Sequence, residues 1–147
     1  MTTRTHSLGF VVASLHRRIV ARLSELTEPQ NVMPGHFPVL RCLRDLKVST
    51  QVELARIVGV EQPSMAATLM RMEKAGLIQR VSDETDGRKK LVSLTPQGRD
   101  MLTVMTASAL SVYREAKAGL TEAEVGEFLR IARKMTANLE VERDDGH

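Results

Sequence analysis

The chain has 147 residues, 42% hydrophobic and 27% charged, with a formal net charge of +3. A chain this long suits one domain, or a small domain with a helical appendage, and can bury roughly 70% of the surface its unfolded form exposes. No apolar run approaches the roughly 20 residues that span a bilayer, the first residues lack the regions of a secretory signal, and one cysteine excludes an internal disulfide framework; the expectation is a soluble, cytoplasmic protein. The charge is unevenly divided. Residues 1–99 carry 15 Lys/Arg against 9 Asp/Glu, and residues 100–147 carry 6 against 9, so the two parts hold +6 and −3. The positive field therefore sits on the first part, as a phosphate-facing surface requires.

In chain order, Leu8, Val12, Leu15, Ile19, Leu23 and Leu26 recur at gaps of three and four and predict a long amphipathic helix from Ser7 to about Leu26. Arg17, Arg18 and Arg22 lie largely off that stripe. Glu28-Pro29-Gln30-Asn31 breaks it, and a second helix is predicted over residues 34–46 with Phe37, Leu40 and Leu43 inward. Thr50 and Glu53 have capping-box spacing and open a short helix on Val52, Leu54, Ala55, Ile57 and Val58, which Gly59 stops. Val60 is expected to bury the turn, and Pro63 to take the first position of the next helix. There Met65, Leu69 and Met72 form the inward stripe, while Ser64, Ala67, Thr68, Arg71 and Lys74 face outward. Two short helices across a tight turn, the second with small polar and basic residues outside, fit a DNA major groove.

After Gly76 the period changes. Residues 77–81 and 90–94 read as two short strands joined by a polar loop over residues 82–89, a hairpin placed as a wing. Its tip carries Arg88, Lys89 and Lys90, with Asp86 placed to orient a nearby arginine, and a guanidinium on a protruding loop suits the narrow, electronegative minor groove. Thr95-Pro96 opens a helix running to about Ala118, with Leu102, Met105, Ala109, Val112 and Ala116 on its stripe and Gly119 at its end. Thr121 and Glu124 form a further capping box. The last helix it starts carries Val125, Phe128, Ala132, Met135 and Leu139, and an acidic, frayed tail follows at residues 142–147. The long terminal helices have too little domain to cover their stripes, so a second copy is expected against them, giving a homodimer with two reading heads for a pseudo-palindromic site.

Asp86-Gly87-Arg88, followed by Leu91-Val92-Ser93-Leu94-Thr95-Pro96-Gln97-Gly98, is similar to the D-x-R wing tip and V-x-L-T-x-x-G junction of the MarR/SlyA family of winged helix-turn-helix regulators. Val60-Glu61-Gln62-Pro63-Ser64 with Leu69, and Glu73-Lys74-Ala75-Gly76-Leu77-Ile78, resembles the SlyA-type recognition helix. The likeness covers roughly residues 8–139. It implies a mainly α (α+β) fold: a winged helix-turn-helix domain over residues 33–99 with a two-stranded wing, and long dimerisation helices in residues 1–32 and 100–147. It also implies recognition helices in successive major grooves, wings in flanking minor grooves, and release by a small, often aromatic and anionic, effector. Many members carry an arginine where this chain has Ala67 and an acidic residue where it has Met70. Arginine is the commonest guanine reader, so thymine-methyl contact by Ala67, or readout from Ser64, Thr68 and Arg71, is expected to substitute.

Each candidate has a plainer alternative. Arg88 could be a solvated hairpin tip, but three cations and Asp86 coincide there, which favours DNA contact. Gln62 and Lys74 are placed for phosphate rather than bases. Cys42, without a partner cysteine, reads as a packed thiol rather than a peroxide sensor. His16, Arg17, His36 and Tyr113 are the residues that could hold an anionic effector, although capping, surface or core roles are the simpler reading of each. Met101, Met105 and Met135 read as core or dimer seam. Among the 4 His and 1 Cys there is no metal-ligand spacing, and the chain shows no phosphate-cradling glycine loop and no nucleophile elbow. The expectation is a DNA-binding regulator needing no cofactor or metal and not an enzyme, most simply a repressor. The alternative is a winged-helix protein-interaction module whose basic face is incidental.

Overall fold

The computed structural model describes residues 7–30 and 32–140, and the chain separates into two compact units, residues 1–112 and residues 113–147. In the first, Ser7 caps α1 (Leu8–Thr27) by accepting the Phe10 amide at 3.2 Å. Only the end of its apolar stripe is covered. Leu23 is buried and Ile19 and Leu26 pack on the core, whereas Leu8, Val12 and Leu15 are exposed. A single 3-10 turn at Glu28–Gln30 ends the helix, where Pro29 removes a donor. The next helix, α2 (His36–Leu46), starts two residues later than the sequence pattern predicts, because Met33 and Pro34 are spent on a turn that accepts the His36 and Phe37 amides at 2.9 and 3.1 Å. Phe37, Val39, Leu40 and Leu43 are buried on its inner face.

Lys47 leaves α2 with φ 70° and ψ −54°. A side chain in that region costs on the order of 1–3 kcal/mol. The turn leads into β1 (Val48–Ser49), a strand too short for alternation to reveal in the sequence. Next come α3 (Gln51–Val58) and α4 (Gln62–Lys74). Thr50 caps α3 through the Glu53 amide at 3.2 Å, but the Glu53 carboxylate accepts the Ser49 hydroxyl at 3.1 Å, so the expected capping box is replaced by a one-way cap and a side-chain bridge. Gly59, at φ 78°, closes α3 as predicted. Val60 does not bury the turn: its side chain is 40% exposed, and what closes the turn is its amide on the Ala55 carbonyl at 3.1 Å. Because α4 begins at Gln62, Pro63 takes the second position rather than the first, where its missing N–H is equally unneeded. Met65, Leu69 and Met72 are buried to 1% exposure or less, as their spacing predicts. Burial of each contributes roughly 1.5–3 kcal/mol.

The hairpin consists of β2 (Ile78–Ser82) and β3 (Lys90–Leu94), paired antiparallel from Ile78 opposite Leu94 to Ser82 opposite Lys90. β1 lies on the other edge of β3, with Val48 opposite Ser93, so the strand order is β1-β3-β2 and the wing has a three-stranded root instead of the expected two strands. From β3 the chain enters α5 (Pro96–Ala116) through a tight clamp. The Thr95 hydroxyl accepts the Gly98 amide at 3.0 Å and donates to the Gly76 carbonyl at 2.5 Å, while the Thr95 amide donates to the Leu77 carbonyl at 3.1 Å. The first turn of α5 thus lies against the main chain that leaves α4. Its Leu102, Met105, Ala109 and Val112 are buried.

In the second unit, α5 stops at Ala116 rather than 118, and Ala116 is exposed instead of completing the stripe. Gly119 turns the chain at φ 81°. A complete capping box then starts α6 (Glu122–Leu139): Thr121 Oγ1 accepts the Glu124 amide at 3.1 Å, and the Glu124 carboxylate accepts the Thr121 amide at 2.8 Å. The predicted stripe forms, but its residues stay half-buried or exposed. Val125, Ala132 and Met135 are half-buried, Phe128 is 56% exposed, Leu139 is 87% exposed, and no residue of α6 is buried. The acidic tail at 142–147 lies outside the described residues.

A Cβ at position 98 would stand 2.0 Å from the Leu77 carbonyl oxygen, which is main chain and cannot swing aside. Gly98→Ala is therefore expected to destabilise the protein by about 3 kcal/mol. Equilibrium urea unfolding checks this, and an unchanged midpoint would contradict the clamp.

Candidate nucleic-acid interface

Burying Met65, Leu69 and Met72 turns the opposite face of α4 outward. Ser64, Ala67, Arg71 and Lys74 are exposed and Thr68 is half-buried, one continuous strip of short polar and basic side chains. Met70, unassigned by the sequence reading, is 66% exposed beside Ala67. Its position off the inward stripe was the signal available, and an uncovered thioether on a polar helix is suited to a thymine methyl. The N-terminus of α4 has no side-chain cap from Glu61, so its first-turn N–H groups and the positive end of its dipole stay open. Gln62 is exposed, and its Oε1 accepts the Gln51 Nε2–H at 3.3 Å, tying the starts of α3 and α4 together.

The wing tip is organised by its acids. Asp83 accepts the Thr85 amide at 3.0 Å and the Thr85 hydroxyl at 2.9 Å, and these bonds hold its carboxyl below the ordinary carboxylate value. Asp86 holds Arg88 through the main chain, accepting its amide at 3.1 Å. The Arg88 and Lys89 side chains are exposed and make no hydrogen bond or ion pair among the described residues. Lys90 sits on β3 instead of the tip proper, its ammonium donating to Ser82 Oγ at 3.0 Å. Two exposed cations thus remain at the end of a braced hairpin, with Lys89 in electrostatic reach of Asp83.

The four candidate effector residues lie in different surroundings. His16 and Arg17 are exposed on α1, and Tyr113 belongs to the second unit, where it is 41% exposed. His36 is 5% exposed on α2, and neither ring nitrogen has a hydrogen-bond partner. Burial first, and the Arg71 charge second, push its imidazole below the ordinary histidine value, so it is neutral at pH 7. Its charged neighbour is Arg71 of the outward strip, a link that sequence spacing cannot reveal. Cys42 is half-buried, and burial raises its thiol, which fits a packed group and not a reactive thiolate. Met105 is core, while Met101 and Met135 are half-buried. Among the described residues no three His, Cys, Asp or Glu cluster as a metal site, and no helix is long and apolar enough to cross a membrane.

A helix-turn-helix with an outward polar strip, followed by a braced cationic hairpin, defines a winged helix-turn-helix DNA-binding fold. The MarR family model matches residues 32–90. Among solved structures, a probable transcriptional regulator from Pseudomonas aeruginosa is 28% identical, covers 88% of this chain and 97% of its own, and superposes with a TM-score of 0.81. Bordetella bronchiseptica BpsR, whose DNA binding is regulated by 6-hydroxynicotinic acid, is 26% identical over 88% of this chain and 98% of its own, with a TM-score of 0.79. A cysteine-to-serine mutant of Escherichia coli MarR complexed with operator DNA shares the fold at 24% identity, 87% and 92% coverage and a TM-score of 0.81. Residues 32–90 are thus similar to the MarR family of winged helix-turn-helix transcriptional regulators, and the solved structures share its fold over most of the chain.

Because the folded-state value of His36 is depressed, its contribution to stability is complete above the unfolded value near 6.5 and is lost as pH falls toward the folded one. Between about pH 7 and about pH 5, the wild type is expected to lose more thermal stability than His36→Leu. Parallel melting curves over that range would contradict a buried neutral imidazole.

Proposed function

We propose that the protein acts as a homodimer that reads a pseudo-palindromic operator and represses transcription by occluding a promoter. The observation that carries this reading is the strip Ser64, Ala67, Thr68, Arg71 and Lys74, turned outward by complete burial of the opposite side of α4. Those residues enter the major groove, with Met70 adding apolar contact. Gln62 and Lys74 meet phosphate. Asp86 sets the main chain from which Arg88 enters the minor groove, and Lys89 and Lys90 face the flanking phosphates. Dimerisation through residues 1–32 and 100–147 is supported by the uncovered apolar faces of α1 (Leu8, Val12, Leu15) and α6 (Phe128, Leu139), too much hydrocarbon to leave in water.

A small aromatic or anionic effector fits the same reading. His36, with two unpartnered ring nitrogens beside Arg71, offers neutral donor and acceptor atoms next to a cation of the reading strip. An aromatic carboxylate drawing on Arg71 would remove that guanidinium from DNA. His16 and Arg17 remain candidates for the rest of such a pocket. BpsR supports the ligand class, since its regulator is an aromatic acid.

Arg88→Ala is expected to weaken operator binding roughly tenfold or more, with the dimer intact by size-exclusion light scattering. Wild-type affinity should fall steeply with added salt as condensed counterions cease to be a driving force. Unchanged affinity of Arg88→Ala in a fluorescence-anisotropy titration would remove the wing from the interface. A particle that stays monomeric at micromolar concentration in light scattering would remove the two-headed reading.

A further inference from the structure

On the outer side of the wing root lies a hollow of about 320 Å³, lined in part by Arg44, Lys47, Gln79, Ser93 and Arg99. Its charged lining is cationic throughout and comes from separate parts of the fold: Arg44 at the end of α2, Lys47 in the turn beyond it, and Arg99 in the first turn of α5. The two wing strands contribute neutral groups, with Gln79 Nε2 donating to Ser93 Oγ at 3.3 Å. Asp45 lies outside the lining and holds Arg44 through Nε at 2.8 Å. Arg99 is anchored likewise, one Nη donating to the Leu94 carbonyl at 3.3 Å. Like charges gathered around one concavity repel each other; Asp45 is the carboxylate within electrostatic reach of Lys47, and neither Lys47 nor Arg99 makes an ion pair among the described residues.

Lys47 adds an independent observation. It is the one non-glycine residue with positive φ among those described, at a place where glycine would relax the backbone. A cationic side chain is held at the rim of the hollow in spite of its backbone.

We propose that this hollow is a binding site for a small multivalent oxyanion, phosphate- or carboxylate-bearing, distinct from the DNA-reading strip and from His36. The proposal is independent of the reading above. Arg44 presents its terminal N–H groups, Lys47 and Arg99 supply compensating charge, and Gln79 and Ser93 supply neutral donors, which suits an ion with several acceptor oxygens. An ion there joins α2, the wing root and α5, and so fixes the hairpin's attachment.

The test is isothermal titration of the full chain with inorganic phosphate and, separately, citrate, at ionic strength held constant with chloride. Saturable binding of either ion supports the proposal, and the better ligand separates a phosphate from a carboxylate site. Lys47→Ala and Arg99→Ala are each expected to weaken it about tenfold. Lys47→Gly should lose the ion equally while melting no lower than wild type without ligand, which separates loss of the cation from loss of the fold. Equal binding by wild type and variants, or no heat beyond the chloride control, overturns the proposal. So does a loss of duplex affinity with a shallower salt slope in Arg99→Ala when free phosphate does not bind, because the hollow then receives a DNA phosphate.

Discussion

The placement of the wing depends on one close approach of main chain to main chain. Gly98 lets the start of α5 rest on the Leu77 carbonyl, and Thr95 bonds to both sides of the contact, accepting from Gly98 and donating to Gly76. These few atoms fasten the exit of α4 to the exit of β3. The recognition helix and the hairpin therefore share one rigid corner, and the angle between them does not depend on side-chain packing alone. Hydrogen bonds with ideal partners add modest net stability, but leaving such buried donors unmet would be costly, so the corner specifies geometry more than it adds free energy.

The same economy shapes the outward strip of α4. Met65, Leu69 and Met72 anchor one side of α4 so completely that the other side has a single possible orientation. The polar strip is a by-product of core packing, which keeps its side chains free for a partner. α1 and α6 show the reverse situation: their stripes are regular, yet much of the hydrocarbon stays exposed. Regular periodicity without burial is a physical statement about a missing surface, and it underlies the dimeric reading.

Much of this was legible in the sequence because it rests on local rules. Helix period, the caps at Thr95 and Thr121, the stop at Gly59 and the hairpin's alternation each need only a few neighbouring residues. What escaped was non-local or too short. β1 has two residues and exists only because β3 offers it an edge. Glu53 had the right spacing for a box but found Ser49, a neighbour delivered by that strand. Val60 was assigned to the interior on its hydrophobicity, yet the turn is closed by its amide. Among candidate site residues, the outward strip followed from period alone. The pairing of His36 with Arg71 joins two helices and could not be read from spacing. Asp86 was linked to a nearby arginine, and its bond to the Arg88 amide supplies the atoms that spacing left open.

The bracing of the wing tip bears on how it would meet DNA under the proposed function. Residues 83–90 contain three acids (Asp83, Glu84, Asp86) and three bases (Arg88, Lys89, Lys90), so the segment is neutral when viewed from afar. Asp83 and Asp86 face their own amides, whereas Arg88 and Lys89 do not. Such a tip exerts little long-range pull on a polyanion and becomes attractive only at contact distance. In the proposed DNA complex, diffusional capture would then fall to the rest of the basic first part of the chain, and the hairpin would act late, as a latch that closes on a duplex already held.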